Sequence, residues 1–230
     1  MVATVIFDVD GVLAETEEHH RQAFNRAFAD FGLAWIWDVP LYRDLLKVTG
    51  GKERILHYAV RHPGLAADYA TTIVADLHRR KTEIYTGMVA TGAVILRPGI
   101  AEFLDNAISR GVELGIATTT SALNVEALLG SALGADWRRI FPVVASGDMA
   151  PRKKPAPDIY ILAMGRFMRS PGQCVAVEDS RNGVRAARAA GLRVIGVRSQ
   201  FCSDDDLSDA SMQLPDCTGL SLELLEALPA

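Results

Sequence analysis

Two carboxylates two residues apart, Asp8 and Asp10, follow the apolar run Val5-Ile6-Phe7 and precede Gly11. Side chains alternate along a strand, so this spacing puts both on one side, and Gly11 lets the backbone turn away behind them. Open α/β sheets bind ligands at the carboxyl ends of their strands, and a carboxylate pair placed there can divide labour. One carboxylate attacks an electrophile. The other, when protonated, gives its proton to the leaving group and later takes one from water. Read alone, the pair would serve equally well as the cap of the next helix, so its meaning depends on what else the chain supplies.

Three further groups supply it. Leu114-Gly-Ile-Ala-Thr118-Thr119-Thr120-Ser121 ends an apolar run in hydroxyls and leads into the helical pattern Leu123 to Leu129. A hydroxyl at a strand end, with the free amides of the coming helix, makes an anion site, although Ser121 also reads as an ordinary N-cap. In Lys153-Lys154-Pro155-Ala-Pro157-Asp158, Pro155 keeps Lys154 out of the helical region and holds its ammonium off a rigid turn. A fixed cation is what a phosphoryl group gaining charge in its transition state needs. Val175-Ala-Val-Glu178-Asp179-Ser180 adds two more carboxylates at a strand end, before the helical Gly183 to Ala190. Carboxylates from two strand ends form a hard-oxygen shell suited to octahedral Mg2+, which offsets the repulsion between an attacking carboxylate and an anionic phosphate.

The elements that must position these groups follow from the apolar period. Short strands are predicted near Val2 to Phe7, Val112 to Ala117, Phe141 to Ala145, Cys174 to Val177 and Arg193 to Val197, separated by helical stretches. That alternation predicts an α/β fold with a Rossmann-like parallel sheet. From about Thr16 to Ala93 the texture turns helical. Ala23, Phe24, Ala27, Phe28 and Phe31 make one apolar face, Ile55, Leu56 and Ala59 a second, and Ile73, Leu77 and Ile84 a third. The expectation is a helical cap domain, residues 16–93, inserted into a catalytic core of residues 1–15 and 94–230. The run Asp204-Asp205-Asp206 is most simply a solvated loop.

Composition agrees with a soluble enzyme. The 230 residues are 49% hydrophobic and 23% charged, which excludes disorder and fibrous classes, and the net charge of −4 gives no footprint for nucleic acid or an anionic membrane. Cys174, Cys202 and Cys217 form neither a disulfide framework nor a CxxC pair. No apolar run is long enough to span a membrane, and the N-terminus lacks the basic segment of a signal peptide, so a cytoplasmic monomer is expected.

Taken in order, DxDGV, a Thr-ended strand, KKPxPD and a strand ending in Glu-Asp resemble the four motifs of the haloacid dehalogenase superfamily, and the match covers nearly the whole chain. The resemblance implies phosphohydrolase chemistry with Mg2+ as cofactor. Asp8 would be the nucleophile that forms an aspartyl-phosphate, and Asp10 the general acid/base whose main-chain carbonyl also ligates the metal. Thr118 and Lys154 would bind the phosphoryl group, and Asp179, with Glu178, would complete the metal site. The stretch from Asp8 to His20 is similar to β-phosphoglucomutases, in which a histidine at the position of His20 helps place the proton-transfer aspartate. Val48-Thr-Gly-Gly-Lys52-Glu-Arg54-Ile, Arg97-Pro-Gly99-Ile and Ala117 to Val125 look more like the CbbY-type phosphatases of Calvin-cycle bacteria and plastids. That likeness implies xylulose 1,5-bisphosphate as the phosphosugar substrate, with a phosphosugar mutase or a phosphoglycolate phosphatase as the alternatives. Retention of both Asp8 and Asp10 speaks against a non-catalytic sensor.

The cap contributes candidates of its own. Gly50-Gly51 opening a helix, followed by Lys52, offers amides and a cation to an anion about one sugar length from the core site. Glu17 and Tyr42 are candidate partners for substrate hydroxyls, Lys81 is a second cation, and Thr119 and Asn124 flank the strand-end hydroxyls. Trp35, Trp37 and Tyr42 also suit the packing of a cap core, and His20, without the resemblance, is an ordinary helix histidine.

Overall fold

Strand β1 (Thr4–Phe7) is buried at every residue and lies inside a sheet that is parallel throughout. The computed structural model describes residues 2–62 and 67–229, with the side chains of 67–70 left out. The other strands are β2 (Glu113–Ala117), β3 (Val143–Ala145), β4 (Cys174–Glu178), β5 (Arg193–Val197) and β6 (Met212–Leu214), in the spatial order β3-β2-β1-β4-β5-β6. All five predicted strands are present. The added edge strand β6 has three residues, none of them fully buried, too short to leave a period in the sequence.

The first four helices after β1 are α1 (Glu17–Asp30), α2 (Val39–Leu45), α3 (Gly51–Arg61) and α4 (Ala67–Ala90). The remainder are α5 (Ile100–Ser109), α6 (Ala122–Leu133), α7 (Trp137–Ile140), α8 (Asp158–Phe167), α9 (Arg181–Ala189) and α10 (Leu222–Glu226). Strand alternation divides the apolar side chains between the two faces of the sheet. Val5, Phe7, Ile116 and Val177 pack with Phe103 of α5, Leu128 of α6 and Leu225 of α10. Ile6, Ala117 and Ala176 pack with Ile159 of α8 and Val184 of α9. Helices cover both faces, which is why these strands read as unbroken apolar runs.

A third cluster joins Phe24 and Phe28 of α1 with Trp37, Tyr42 and Leu45, Ile55 and Tyr58 of α3, and Leu77 of α4. Trp37 lies 4.7 Å, centroid to centroid, from both phenylalanine rings. Further along, α4 changes partners: Tyr85 and Val89, with Ala23 of α1, belong to the sheet's own cluster, and Ile84 packs there as well. The apolar seam between the helical layer and the sheet is therefore continuous.

Local departures from expectation have local causes. Helix α2 was hidden by its length of seven residues; its start is nonetheless signalled by Asp38, whose side chain accepts from Leu41 N at 2.8 Å, and by Pro40 in the first turn. The Asp204–Asp206 run is more than a solvated loop. Asp205 accepts from the Arg181 amide at 2.8 Å, at the start of α9, and Asp206 from the Ser208 amide at 3.0 Å. Among the described residues, no helix is long and apolar enough to cross a membrane.

Candidate active site

Register sets the site. Phe7 pairs with Ile116 on β2 and with Val177 on β4, so the carboxyl ends of three neighbouring strands are level. Asp8 thus emerges beside Thr118 and Glu178, and its amide donates to Val177 O at 3.0 Å. Gly11 then turns the chain with φ +73°, and a Cβ on it would stand 2.0 Å from Asp179 Oδ2, so only glycine lets Asp179 approach.

Lys154 ties these strand ends together. Its ammonium donates to Asp8 Oδ1 at 2.9 Å, to the Ala117 carbonyl at 2.9 Å and to Glu178 Oε1 at 2.6 Å. Burial alone would lower its pKa, but the carboxylates of Asp8 and Glu178 outweigh that and hold it above the ordinary lysine range. Burial is also the largest influence on Asp8, and it raises this pKa against the pull of Lys154 and of hydrogen bonds from Lys154 and Thr118. Glu178, pushed up to about 7 by burial, accepts a second bond on Oε1 from the Tyr160 hydroxyl. Asp179 is raised well above the carboxylate range by burial and by Asp8 and Glu178, while the Ser199 hydroxyl donates to its Oδ2 at 2.7 Å.

The donor set suits a divalent metal. One oxygen each from Asp8, Glu178 and Asp179 lie within 4.8 Å of one another, all three residues are buried, and Glu178 Oε2 has no hydrogen-bond partner. With all three ionised, the Lys154 ammonium would balance only part of their charge, and hard oxygen donors of this kind match Mg2+. The Asp10 carboxylate stands outside this group.

Asp10 has different company. The Thr16 hydroxyl donates to Oδ1, and His20 Nε2 lies 3.1 Å from the same atom. Thr16 sits at the N-cap position of α1 with helical backbone angles and makes no side-chain cap bond, while its hydroxyl proton goes to Asp10. Lys81 Nζ, 2.6 Å away, donates to His20 Nδ1, which leaves the ring proton on Nε2, facing Asp10. The imidazole is stacked on Tyr85 at 3.9 Å. Burial, followed by the Lys81 charge, keeps His20 well below its usual pKa and therefore neutral. Burial lowers Lys81 to about 7. In Asp10 burial raises the pKa, with the Thr16 bond the strongest opposing influence.

Two cavities meet at Asp10, Glu17 and Thr119. The larger, about 460 Å3, opens over Asp8, Lys154 and Asp179. The smaller, about 70 Å3, lies between the N-terminus of α3 (Gly50, Gly51, Lys52) and that of α6 (Ser121, Asn124). Asn124 is buried and its Oδ1 has no partner. Lys52 reaches Asp148 Oδ2 at 3.8 Å across the cleft.

Most of the expected residues therefore converge, and two differ in what they touch. Tyr42 is fully buried, with its hydroxyl donating to Glu17 at 2.7 Å and accepting from Arg54 at 3.1 Å, so it orients Glu17 instead of meeting a substrate hydroxyl. Lys81 is occupied by His20. Arg54, unforeseen as a site residue, is buried, bonds to Leu45 O at 3.1 Å and lines both cavities. The available signal was an arginine in an apolar slot of the α3 stripe, beside Ile55 and Tyr58. Tyr160 and Ser199, which hold the strand-end carboxylates, carried no such signal.

Comparison with known proteins agrees with this geometry. The family model for haloacid dehalogenase-like hydrolases matches residues 2–191. Protein CbbY of Cereibacter sphaeroides is 47% identical over 96% of this chain and 98% of its own. The crystal structure of a CbbY mutant from Rhodobacter sphaeroides in complex with xylulose-(1,5)bisphosphate is 45% identical, with a TM-score of 0.89 over 96% of this chain and 97% of that one. A β-phosphoglucomutase from Clostridium difficile shares the fold, with a TM-score of 0.79 over 98% of this chain and 96% of that one at 20% identity. The chain belongs to the haloacid dehalogenase-like hydrolases, in the group of the CbbY-type phosphatases.

Proposed function

We propose that this enzyme is a Mg2+-dependent phosphatase that removes one phosphate from a sugar bisphosphate, xylulose 1,5-bisphosphate, through an aspartyl-phosphate on Asp8. The observation that carries the reading is the unequal surroundings of two aspartates two residues apart. Asp8 is paired with the Lys154 ammonium among the strand-end carboxylates, whereas Asp10 is held by Thr16 and the neutral His20. Environments that separate two carboxyl groups in this way assign nucleophile and acid/base.

Asp8 Oδ attacks phosphorus in line as the ester P–O bond breaks, and Asp10 gives its proton to the departing sugar oxygen. Lys154 and Thr118 hold the phosphoryl oxygens. Asp10 then takes a proton from water as that water attacks the phosphorus, which returns the Asp8 carboxylate and frees phosphate. His20 and Lys81 keep Asp10 aimed. Asp8, Glu178, Asp179 and the Asp10 main-chain carbonyl would hold Mg2+, which would supply positive charge to offset that of the phosphoryl group. The second phosphate would sit in the smaller cavity, on the Gly51 and Lys52 amides with the Lys52 ammonium, beside Thr119 and Asn124, while Glu17 meets a sugar hydroxyl.

On this reading residues 16–93 act as a cap over a core of 1–15 and 94–230. The Ala14–Leu96 bridge and the Arg97–Glu15 pair at 3.4 Å support hinges at those ends. Buried, unpaired cysteines suit a reducing cytoplasm.

The test is phosphate release from xylulose 1,5-bisphosphate, ribulose 1,5-bisphosphate, phosphoglycolate and glucose phosphates, with Mg2+ and with the metal chelated. The first substrate should have the highest kcat/KM, and only with Mg2+. Preference for phosphoglycolate would overturn the substrate. Interconversion of glucose phosphates with little phosphate released would make the enzyme a mutase.

A further inference from the structure

The loop that carries Gly50, Gly51 and Lys52 has no cap of its own. Gly50 precedes α3 with φ +99° and offers no side chain to the free amides; a Cβ there would stand 2.1 Å from a Glu53 carboxylate oxygen. The loop is instead held from the sheet layer. Asn182 Nδ2 donates to the Lys47 carbonyl at 3.1 Å and to the Thr49 hydroxyl at 2.9 Å. A carbonyl only accepts, so the nitrogen end of the amide must face Lys47. Asn182 is the second residue of α9, three positions beyond Asp179, and α9 begins at the Ser180 N-cap that follows this carboxylate directly. One short rigid path thus joins the strand end of the reaction centre to the loop 47–50.

We propose that Asn182 is a positioning residue that fixes the distance between the phosphoryl-transfer centre and the α3 N-terminus, so that a substrate with anionic groups at both ends is held in register. The proposal rests on the bisphosphate reading. A monoester too short to reach α3 gains nothing from the clasp, whereas a bisphosphate loses affinity when the loop drifts. Bonds between uncharged groups at a half-exposed position are individually modest, so loss of both should lower kcat/KM for the bisphosphate roughly three- to thirtyfold.

Asn182→Ala provides the test. It removes both donated bonds and adds no charge, and alanine is the more favourable helix residue. With the full-length enzyme and Mg2+, kcat and KM are measured for xylulose 1,5-bisphosphate and for p-nitrophenyl phosphate, together with amide hydrogen exchange over residues 46–53 without substrate. The bisphosphate loss should fall mainly on KM, p-nitrophenyl phosphate should stay within about twofold, exchange over 46–53 should quicken, and Tm should not drop. Adding Thr49→Val should cost little more, because the bond it removes is already gone. An equal loss on both substrates, or unchanged exchange, overturns the proposal. If the wild type cleaves p-nitrophenyl phosphate but no sugar bisphosphate, the substrate reading fails by itself, and the exchange rates then decide for or against the clasp.

Discussion

Replacing His20 by Phe tests whether Asp10 owes its proton transfer to one ring nitrogen. Phenylalanine keeps a flat ring against Tyr85, now stacked at 3.9 Å, and removes the Nε2–H that faces Asp10 Oδ1 at 3.1 Å. A hydrogen bond to a charged partner contributes about 1.5–3 kcal/mol. At about 1.36 kcal/mol per decade this predicts a fall in kcat of roughly 10- to 150-fold. The loss should appear in kcat with KM nearly constant, since Asp10 meets the ester oxygen most strongly as charge develops there. Lys81→Met should act in the same direction but more weakly, because Lys81 reaches Asp10 through His20, and the double variant should fall short of the product of the two effects. Steady-state phosphate release, with Tm as a control for folding, provides the measurement. A raised KM with unchanged kcat would refute the reasoning, as would unimpaired turnover, which would mean that Thr16 alone fixes Asp10.

Three further outcomes are expected. Asp8→Asn should abolish turnover and leave the far-UV spectrum and Tm close to wild type; measurable multiple turnover would sink its assignment as nucleophile. Lys52→Ala removes a partly exposed cation beside the smaller cavity and should raise KM for the bisphosphate roughly five- to tenfold, with little change for p-nitrophenyl phosphate; equal losses on both would place Lys52 elsewhere in the reaction. The third outcome concerns pH: folding holds Lys81 at about 7 against 10.5 for an ordinary lysine, so between those values the unfolded chain binds the extra proton and stability rises with pH. Urea titrations should show wild type gaining on Lys81→Met by about 1.4 kcal/mol per pH unit from pH 7 to 9. Parallel curves would mean that Lys81 is not depressed.

The parallel sheet and the converging strand ends were legible because each rests on a short-range rule: unbroken apolar runs, Gly11 behind the carboxylates, and a proline fixing Lys154. What the sequence could not reveal depends on contacts between distant residues. Alternation continued beyond β1, which ends at Phe7, would put Asp8 and Asp10 on one side and make them look equivalent, and nothing near them separates their roles. Their difference comes from Thr16 and His20, six and ten residues beyond Asp10, and from Lys81, 61 residues beyond His20, reaching its ring. The same holds for Tyr42. Its place on an apolar stripe correctly indicated a packed ring, but only folding brings Glu17 and Arg54 to its hydroxyl, which engages the group proposed to meet a substrate hydroxyl. The net charge of −4 conceals a similar arrangement. Asp8, Glu178 and Asp179 crowd one strand-end cluster in which the Lys154 ammonium bonds Asp8 and Glu178, while Lys52 faces the smaller cavity across the cleft. A bisphosphate needs countercharge at both ends. The chain supplies a lysine and a helix N-terminus at one end, and at the other a lysine and a carboxylate set with room for a divalent cation.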